Sequence, residues 1–403
     1  MSLNETPSGE RIHIGFFGKR NAGKSSLVNA ICGQALSIVS PTMGTTTDPV
    51  RKAMELLPLG PVVIIDTPGF DDTGDLGAQR VDKAEHIFKE CDIAVLVADA
   101  TQGLQEEDQA FLSRAKDRGL PTLTVFNKSD IGPGSSVENA LAVSAKTGEN
   151  IERLKHMLAS MLPDRTEKKL VSDLIPKESV CILVCPIDSA APKGRLILPQ
   201  QQTIRDLIDS DNIPLVVKET ELPHALHALK APPALVITDS QVFKVVNDIV
   251  PPTIPLTSFS ILMARYKGFL HSAVQGVLAC DHLKDGDRIL MAEGCTHHRQ
   301  CGDIGTVKIP KWLRSYTGKD LIFETCSGRE FPEDLKRYAL VVHCGGCMLT
   351  ETVVRERMHQ AEGQVPFTNY GILIARMNGI LERSLSIFPD LLQKDTEAAT
   401  CIP

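Results

Sequence analysis

The chain lacks any apolar run approaching the ~20 residues that a membrane-spanning helix needs, so no membrane partner is expected. Its opening has no basic start leading into an apolar core, so no secretory signal is expected and the cytoplasm is the expected location. Excess positive charge is also missing: 43 Lys and Arg stand against 50 Asp and Glu, a formal net charge of −7. Domains with a large nucleic-acid footprint are usually basic. With that acidic balance, no nucleic-acid partner is expected. No internal repeat and no low-complexity tract stands out.

What is present is an ordinary globular composition, 42% apolar and 23% charged over 403 residues. At roughly 100–200 residues per domain that length suggests two to four domains. Cysteine is the exception, with eleven in the chain. Without an export signal, clustered cysteines point to metal or redox chemistry before disulfides. Seven of them lie between Cys280 and Cys401, in the C-terminal third.

Apolar runs alternate with amphipathic stretches, which predicts an α/β chain. The N-terminal part, 1–165, reads as a P-loop domain with a parallel-sheet core. Its strands are Ile12–Phe17, Val62–Asp66, Ala94–Asp99, Thr122–Phe126 and Leu141–Ser144, and its helices include Ser25–Cys32, Glu107–Arg118 and Ile151–Met161. Pro163–Pro176 reads as a linker. Two smaller α/β domains follow, 177–264 and 265–395. The first has strands Val180–Cys185, Leu215–Val217, Ala234–Thr238 and Ile254–Leu256. The second has strands Arg288–Ala292, Leu321–Glu324 and Ala339–Val342, each followed closely by a cysteine: Cys295, Cys326 and Cys344. Helices Glu351–Ala361 and Tyr370–Leu381 would complete it.

Gly18-Lys-Arg-Asn21-Ala22-Gly23-Lys24-Ser25 fits G-x-x-x-x-G-K-[ST] between a strand and a helix. Glycines let the backbone wrap phosphates, and the helix N-terminus favours anions. Lys24 would reach the β and γ phosphates and Ser25 would hold Mg²⁺; Ser26 completes the helix start. Asp66-Thr-Pro-Gly69 ends a strand about 40 residues on, where Asp66 would orient Mg²⁺ through water and the Gly69 amide would meet the γ-phosphate. Asn127-Lys128-Ser-Asp130 follows another strand. The Asp130 carboxylate can accept two hydrogen bonds from guanine, a pair that adenine cannot offer. Ser144-Ala145-Lys146 would supply donors near the guanine O6. The chain therefore reads as a GTP hydrolase.

These motifs resemble the translation-factor-type P-loop GTPases, most closely the branch of tRNA-modification and ribosome-assembly GTPases. Phe70 stands where Ras-like members place a water-orienting glutamine. Asn21 matches the asparagine that marks potassium-activated members. Gly44-Thr-Thr46-Thr-Asp48 resembles their switch I, with Thr46 as a second Mg²⁺ contact. The resemblance implies slow, K⁺-stimulated hydrolysis. Asp71, Asp72 and Asp75 read as solvated switch II carboxylates.

Glu293-Gly-Cys295-Thr-His297-His298 follows one strand, and His343-Cys344-Gly-Gly-Cys347 follows another. A C-x-x-C hairpin directs two thiolates at one metal, and loops at strand carboxyl ends are where ligands gather in open α/β sheets. Three thiolates with His297 or His343 could bind zinc or an iron–sulfur cluster. Cys32, Cys91, Cys181 and Cys185 read as core residues.

C-x-H followed by H-C-x-x-C resembles the signature of the maturation GTPases of iron-only hydrogenases, the HydF family. Asp303-Ile-Gly305, Val307-Lys-Ile-Pro-Lys-Trp312 and Thr368-Asn-Tyr-Gly371 extend the likeness, which covers essentially the whole chain. It implies a 4Fe-4S cluster on Cys295, Cys344 and Cys347, with the fourth ligand open among His297, His298, Cys301, Asp303, Cys326 and an exogenous group. It implies a homodimer built on 177–264. It also implies a scaffold that receives a di-iron precursor, made with two radical-SAM maturases, and delivers it to apo FeFe-hydrogenase. The competing readings are a tRNA- or ribosome-acting GTPase with a structural zinc domain, and a GTP-gated metalloenzyme.

Overall fold

A computed structural model describes residues 7–33, 50–69, 84–132, 140–161, 168–187, 196–294, 303–328, 330–388 and 391. The chain divides into two compact units, Met1–Thr166 and Glu167–Pro403.

The first unit runs β1 (Ile12–Phe17), α1 (Lys24–Cys32), β2 (Val50–Leu56), β3 (Gly60–Asp66), α2 (84–90), β4 (Ile93–Asp99), α3 (Glu106–Asp117), β5 (Thr122–Asn127), β6 (Ala140–Ala142) and α4 (Ile151–Met161). The sheet order is β2-β3-β1-β4-β5-β6. All neighbours are parallel except β2 with β3. Central parallel strands are covered on both faces and so carry unbroken apolar runs. Every residue of β1 is buried accordingly. Strand β2, Val-Arg-Lys-Ala-Met-Glu-Leu, is half-exposed. Its charges hide it from a search for apolar runs, and they suit an edge strand. In α4 the buried Ile151, Leu154 and Leu158 recur at helical spacing.

The second unit contains two four-stranded parallel sheets. The first half runs β7 (Val180–Val184), α5 (Leu198–Asp209), β8 (Ile213–Val217), α6 (Leu222–Ala228), β9 (Leu235–Thr238), α7 (Phe243–Ile249), β10 (Leu256–Ser258), α8 (Phe259–Tyr266) and α9 (Leu270–Val277). The second runs β11 (Arg288–Glu293), α10 (Ile309–Thr317), β12 (Ile322–Ser327), β13 (Leu340–His343), α11 (Glu351–Ala361), β14 (Phe367–Asn369), α12 (Tyr370–Met377) and α13 (Leu381–Leu385). One hydrophobic core passes through both halves, and position 264/265 falls inside α8. Cys326 lies within β12 rather than after it, because that strand continues to Ser327. The shortest strands and the apolar helix α8, which buries five of its eight residues, show no readable period in the sequence.

The two halves are a repeat, contrary to the expectation from sequence. Their strand orders, β8-β7-β9-β10 and β12-β11-β13-β14, are the same. Residues 255–270 and 366–381 match without gaps at Pro255/Pro366, Thr257/Thr368, Ile261/Ile372, Leu262/Leu373, Ala264/Ala375, Arg265/Arg376, Gly268/Gly379 and Leu270/Leu381. Ser258 caps α8 by accepting from the Ile261 amide, and Asn369 caps α12 by accepting from Ile372. Arg265 pairs with Asp173, seven residues before β7. Arg376 pairs with Asp281, seven residues before β11. A repeat confined to such short segments leaves little trace in the sequence, and the shared strand order carries it.

The halves also exchange helices. Helix α9 follows the first half but packs on β14, and α13 follows the second half but packs on β10. Thr368 Oγ1 donates to the Ala273 carbonyl at 2.8 Å. A Cβ on Gly276 would lie 2.1 Å from the Phe367 carbonyl oxygen. Gly276→Ala should therefore force α9 off the sheet and lower stability by about 1–3 kcal/mol, the usual range for overpacking. Thermal unfolding followed by circular dichroism reads it, and an unchanged midpoint would show that the contact yields.

Candidate functional site

The phosphate loop is shaped by backbone that only some residues tolerate. Gly18 has φ 139°, and a Cβ there would sit 2.2 Å from the Val97 carbonyl. Gly23 has φ 88° and would press a Cβ to 2.2 Å from Asn127 Nδ2. Asn21, at φ 63°, is exposed at the loop tip, and asparagine tolerates the left-handed region better than most residues. Lys24 is buried, and its Nζ donates to the carbonyls of Gly18 and Lys19 at 2.8 Å each. The ammonium is thus centred under the loop.

Ser25 Oγ donates to Asp66 Oδ2 at 2.5 Å. Burial raises the Asp66 carboxyl above its ordinary range, and the Ser25 hydrogen bond and the Lys24 charge oppose it. Its other oxygen, Oδ1, is buried without a partner. An orphaned carboxylate oxygen beside a serine hydroxyl and below a phosphate loop fits Mg²⁺, which takes oxygen ligands. Gly69 is buried at the end of the described Asp66–Gly69 segment.

Asn127 ties this loop to the base side. Its Nδ2 donates to Ala22 and Gly23 carbonyls at 3.2 and 3.3 Å, and its Oδ1 accepts from the Ala145 amide at 3.0 Å. Ser144 Oγ donates to Asp130 Oδ1 at 2.8 Å. Asp130 is exposed, with its carboxylate oriented from beneath. Lys128 has φ 67° and reaches Asp99 at 2.6 Å. Partial burial would raise the Asp99 carboxyl, but Lys128 and Thr101 together hold it low. Ser26 and Lys146 are exposed on the rim. The structure thus brings together Gly18–Ser26, Asp66, Asn127–Asp130 and Ser144–Lys146 as one site. Thr46, Phe70, Asp71, Asp72 and Asp75 lie outside the described residues.

The thiol loop occupies the matching place in the second unit, between β11 and β13, where the strand order reverses. Such switch points are where open α/β sheets bind ligands. The Cys344 amide donates to the Ala292 carbonyl at 2.9 Å, which holds the loop on β11. Cys344 Sγ accepts from the Gly294 amide at 3.0 Å and from Gly346 at 3.4 Å. Burial pushes both thiols up, Cys347 to about 12, and Cys344 adds to the rise at Cys347. The amides of Gly294 and Gly346 oppose it at Cys344. Amides aimed at sulfur are what a sulfur-ligated cluster or metal requires of its surroundings. Ligation of a metal there would release the thiol protons.

His343 is fully buried, and burial with the neighbouring Arg357 charge lowers it to about 3. Arg357 Nη1 donates to its Nε2 at 3.1 Å, so Nδ1 carries the hydrogen given to the Cys344 carbonyl at 2.7 Å. Both nitrogens are occupied, and in this arrangement His343 braces the loop instead of offering a lone pair to a metal. Asp303 Oδ2 is engaged by Thr306 in capping a π-turn, Ile304–Lys308. Cys326 is buried on β12, in register with Ala292. Cys295, His297, His298 and Cys301 lie outside the described residues. Among the described residues no three or more His, Cys, Asp or Glu converge as a metal site. Cys344 and Cys347 share one loop, and with Cys295 as a third sulfur their donor chemistry would fit an iron–sulfur group.

Sequence reading missed Lys267 and Arg357, both buried beside this loop. Lys267 before a glycine looks like a solvated helix end, and Arg357 like one charge among several on α11. Cys91, Cys181 and Cys185 are buried, and Cys32 is half-buried with Sγ 3.4 Å from Met54 Sδ. Among the described residues no helix is long and apolar enough to cross a membrane.

Three family models match: the hydrogen maturase F dimerization domain over residues 170–268, the hydrogen maturase F tetramerization domain over 271–387, and a 50S ribosome-binding GTPase domain over 13–128. Among curated proteins, the tRNA modification GTPase MnmE of Neisseria meningitidis serogroup C is 36% identical over 159 residues, 37% of this chain and 34% of that protein. MnmE of Nitrosomonas eutropha is 36% identical over 156 residues, with the same coverage of 37% and 34%. The chain thus spans about a third of the length of the curated relatives it matches. A crystal structure of Aquifex aeolicus Era bound to GDP and AlF4⁻ matches at 19% identity and TM-score 0.34, over 54% of this chain and 98% of that one.

Proposed function

The chain belongs to the hydrogen maturase F family of GTPases, and from this premise we propose that it is a GTP-hydrolysing iron–sulfur scaffold that receives a di-iron precursor and delivers it to apo FeFe-hydrogenase. The observation that carries the reading is the coexistence, in separate units, of a phosphate-and-guanine site and a buried thiol loop at a sheet switch point. The MnmE likeness covers only the nucleotide-binding part, so tRNA modification has no support from the second unit.

In the first unit Asp130 reads guanine and Lys24 draws the phosphates into the loop. Ser25 and Asp66, with Thr46, would hold Mg²⁺, which supplies neutralisation of the phosphate charge. Asn21 sits at the loop tip where a monovalent cation would meet the phosphates. Hydrolysis is expected to be slow and K⁺-stimulated; equal turnover in KCl and NaCl at matched ionic strength would remove Asn21 from that role.

In the second unit Cys344 and Cys347, with Cys295, would hold a 4Fe-4S cluster, which supplies an iron position for the di-iron cargo. Gly294 and Gly346 orient the thiolate, and His343 fixes the loop against α11. The chain self-associates through its second unit, and its partners are the two radical-SAM maturases and the hydrogenase. Protein purified without oxygen and reconstituted with iron and sulfide should hold about four irons per chain and an EPR signal on reduction. Stoichiometric zinc without labile sulfide would overturn the scaffold reading and leave the GTPase standing.

A further inference from the structure

The Cys344–Cys347 loop is gripped at both ends by buried cations. At its start, Arg357 Nη1 donates to His343 Nε2 at 3.1 Å and Nη2 to the Gly328 carbonyl at 2.5 Å. At its end, Lys267 Nζ donates to the Leu349 carbonyl at 2.8 Å. Both residues are withdrawn from water, at 3% and 1% exposure. Taking a charge out of water costs several kcal/mol, so such positions persist where the charge is used.

The duplicated fold supplies an internal control. At the same offset of 111 residues, Lys267 corresponds to Asn378 and Arg357 to Val246. Asn378 is exposed and Val246 is fully buried in α7. At that offset the cap Asp239, directly after β9, stands opposite the cap Thr350, so the first half has no counterpart of the thiol loop, and it has no charge at either cation position. Lys267 belongs to the first half yet reaches across to the thiol loop of the second.

We propose that Lys267 and Arg357 are a pair of positioning cations that hold the thiol loop for a negatively charged iron–sulfur cluster and make that cluster easier to reduce. The inference rests on reading Cys344 and Cys347 as cluster ligands. Each electron added to the cluster adds negative charge, and a fixed cation in a low-dielectric setting stabilises the reduced form more than the oxidised one.

The test uses full-length protein reconstituted without oxygen, in the variants Lys267→Met, Arg357→Met, Lys267→Arg and Arg357→Lys. Iron content and an EPR-monitored redox titration are the readouts. Each methionine variant should shift the reduced-to-oxidised ratio at fixed potential about tenfold toward oxidised, about 59 mV for one electron. The charge-keeping variants should recover most of that. Methionine variants with wild-type iron and an unmoved midpoint overturn the proposal. If the methionine variants fail to hold iron, the charge-keeping pair decides: recovered iron supports it, and loss in both overturns it. A wild-type protein that takes up no cluster at all defeats the underlying assignment, a different failure from an unmoved midpoint.

Discussion

Cys344→Ala should abolish cluster binding while leaving GTP hydrolysis intact. Cys344 is the better placed of the two described thiols, since its sulfur already receives two amide hydrogen bonds and its own amide is tied to β11. Losing even a group that only orients a metal ligand costs about 10–100-fold in affinity, so losing a ligand itself should reduce iron after reconstitution to near background. The fold should survive. The substitution orphans two weak N–H···S bonds, worth about 1 kcal/mol each at most, and leaves the apolar strands β11 and β13 untouched. Cys347→Ala should behave likewise, whereas Cys91→Ala, buried in the first unit, should keep its iron. Circular dichroism of the same preparations serves as the folding control, and GTP hydrolysis should be unchanged because the described residues of the nucleotide site all lie in the first unit. Hydrogenase activation should be lost with the iron. Iron, labile sulfide and EPR signal equal to wild type in Cys344→Ala would end the assignment of this loop as the cluster site.

Much of the nucleotide site was legible because its chemistry is local. A phosphate loop needs glycine where φ is positive, and Gly18 and Gly23 stand at those positions. Long central strands such as β1 and β4 announce themselves by apolar runs that face protein on both sides. What was not legible depended on contacts distant in sequence. Strand β2 carries Arg51, Lys52 and Glu55 because one side of it meets solvent, and a charged edge strand resembles a loop. The repeat was hidden because its clearest stretch is sixteen residues long and the intervening segments differ in length. It shows only when both sheets display the same strand order and the same Arg–Asp tie.

The thiol site was half legible. The C-x-x-C spacing identified Cys344 and Cys347, but spacing cannot say which way an imidazole points. His343 reads as a ligand in sequence; in the fold it lies against Phe367, with ring centroids 5.6 Å apart, and spends both nitrogens on the protein. Its work is to fix the backbone that presents Cys344. Lys267 could not have been found by motif, since its partner Leu349 lies 82 residues away. Burial turned an ordinary helix-end lysine into a charge aimed at the loop.

Asp130→Asn should lower GTP affinity by about 10²–10⁴-fold. Two charge-assisted hydrogen bonds at about 1.5–3 kcal/mol each would be weakened or lost, and 1.4 kcal/mol is about tenfold in affinity. An asparagine has one accepting and one donating end. It can still accept from one guanine N–H, but its amide then faces the second donor, and that pairing is repulsive. Xanthine carries a carbonyl where guanine has its amino group, so the variant should gain affinity for xanthosine triphosphate as it loses GTP. Ser144 makes this a clean exchange. Its hydroxyl donates to Asp130 Oδ1 at 2.8 Å and can donate equally to an asparagine carbonyl, keeping the side chain in place. Asn127, which joins the phosphate loop to the base loop, is untouched. Iron uptake by the second unit should be unchanged, which separates base recognition from cluster binding in one protein. Calorimetric titration with both nucleotides reads the result. GTP affinity within about tenfold of wild type, with no gain for xanthosine triphosphate, would mean that Asp130 does not read the base.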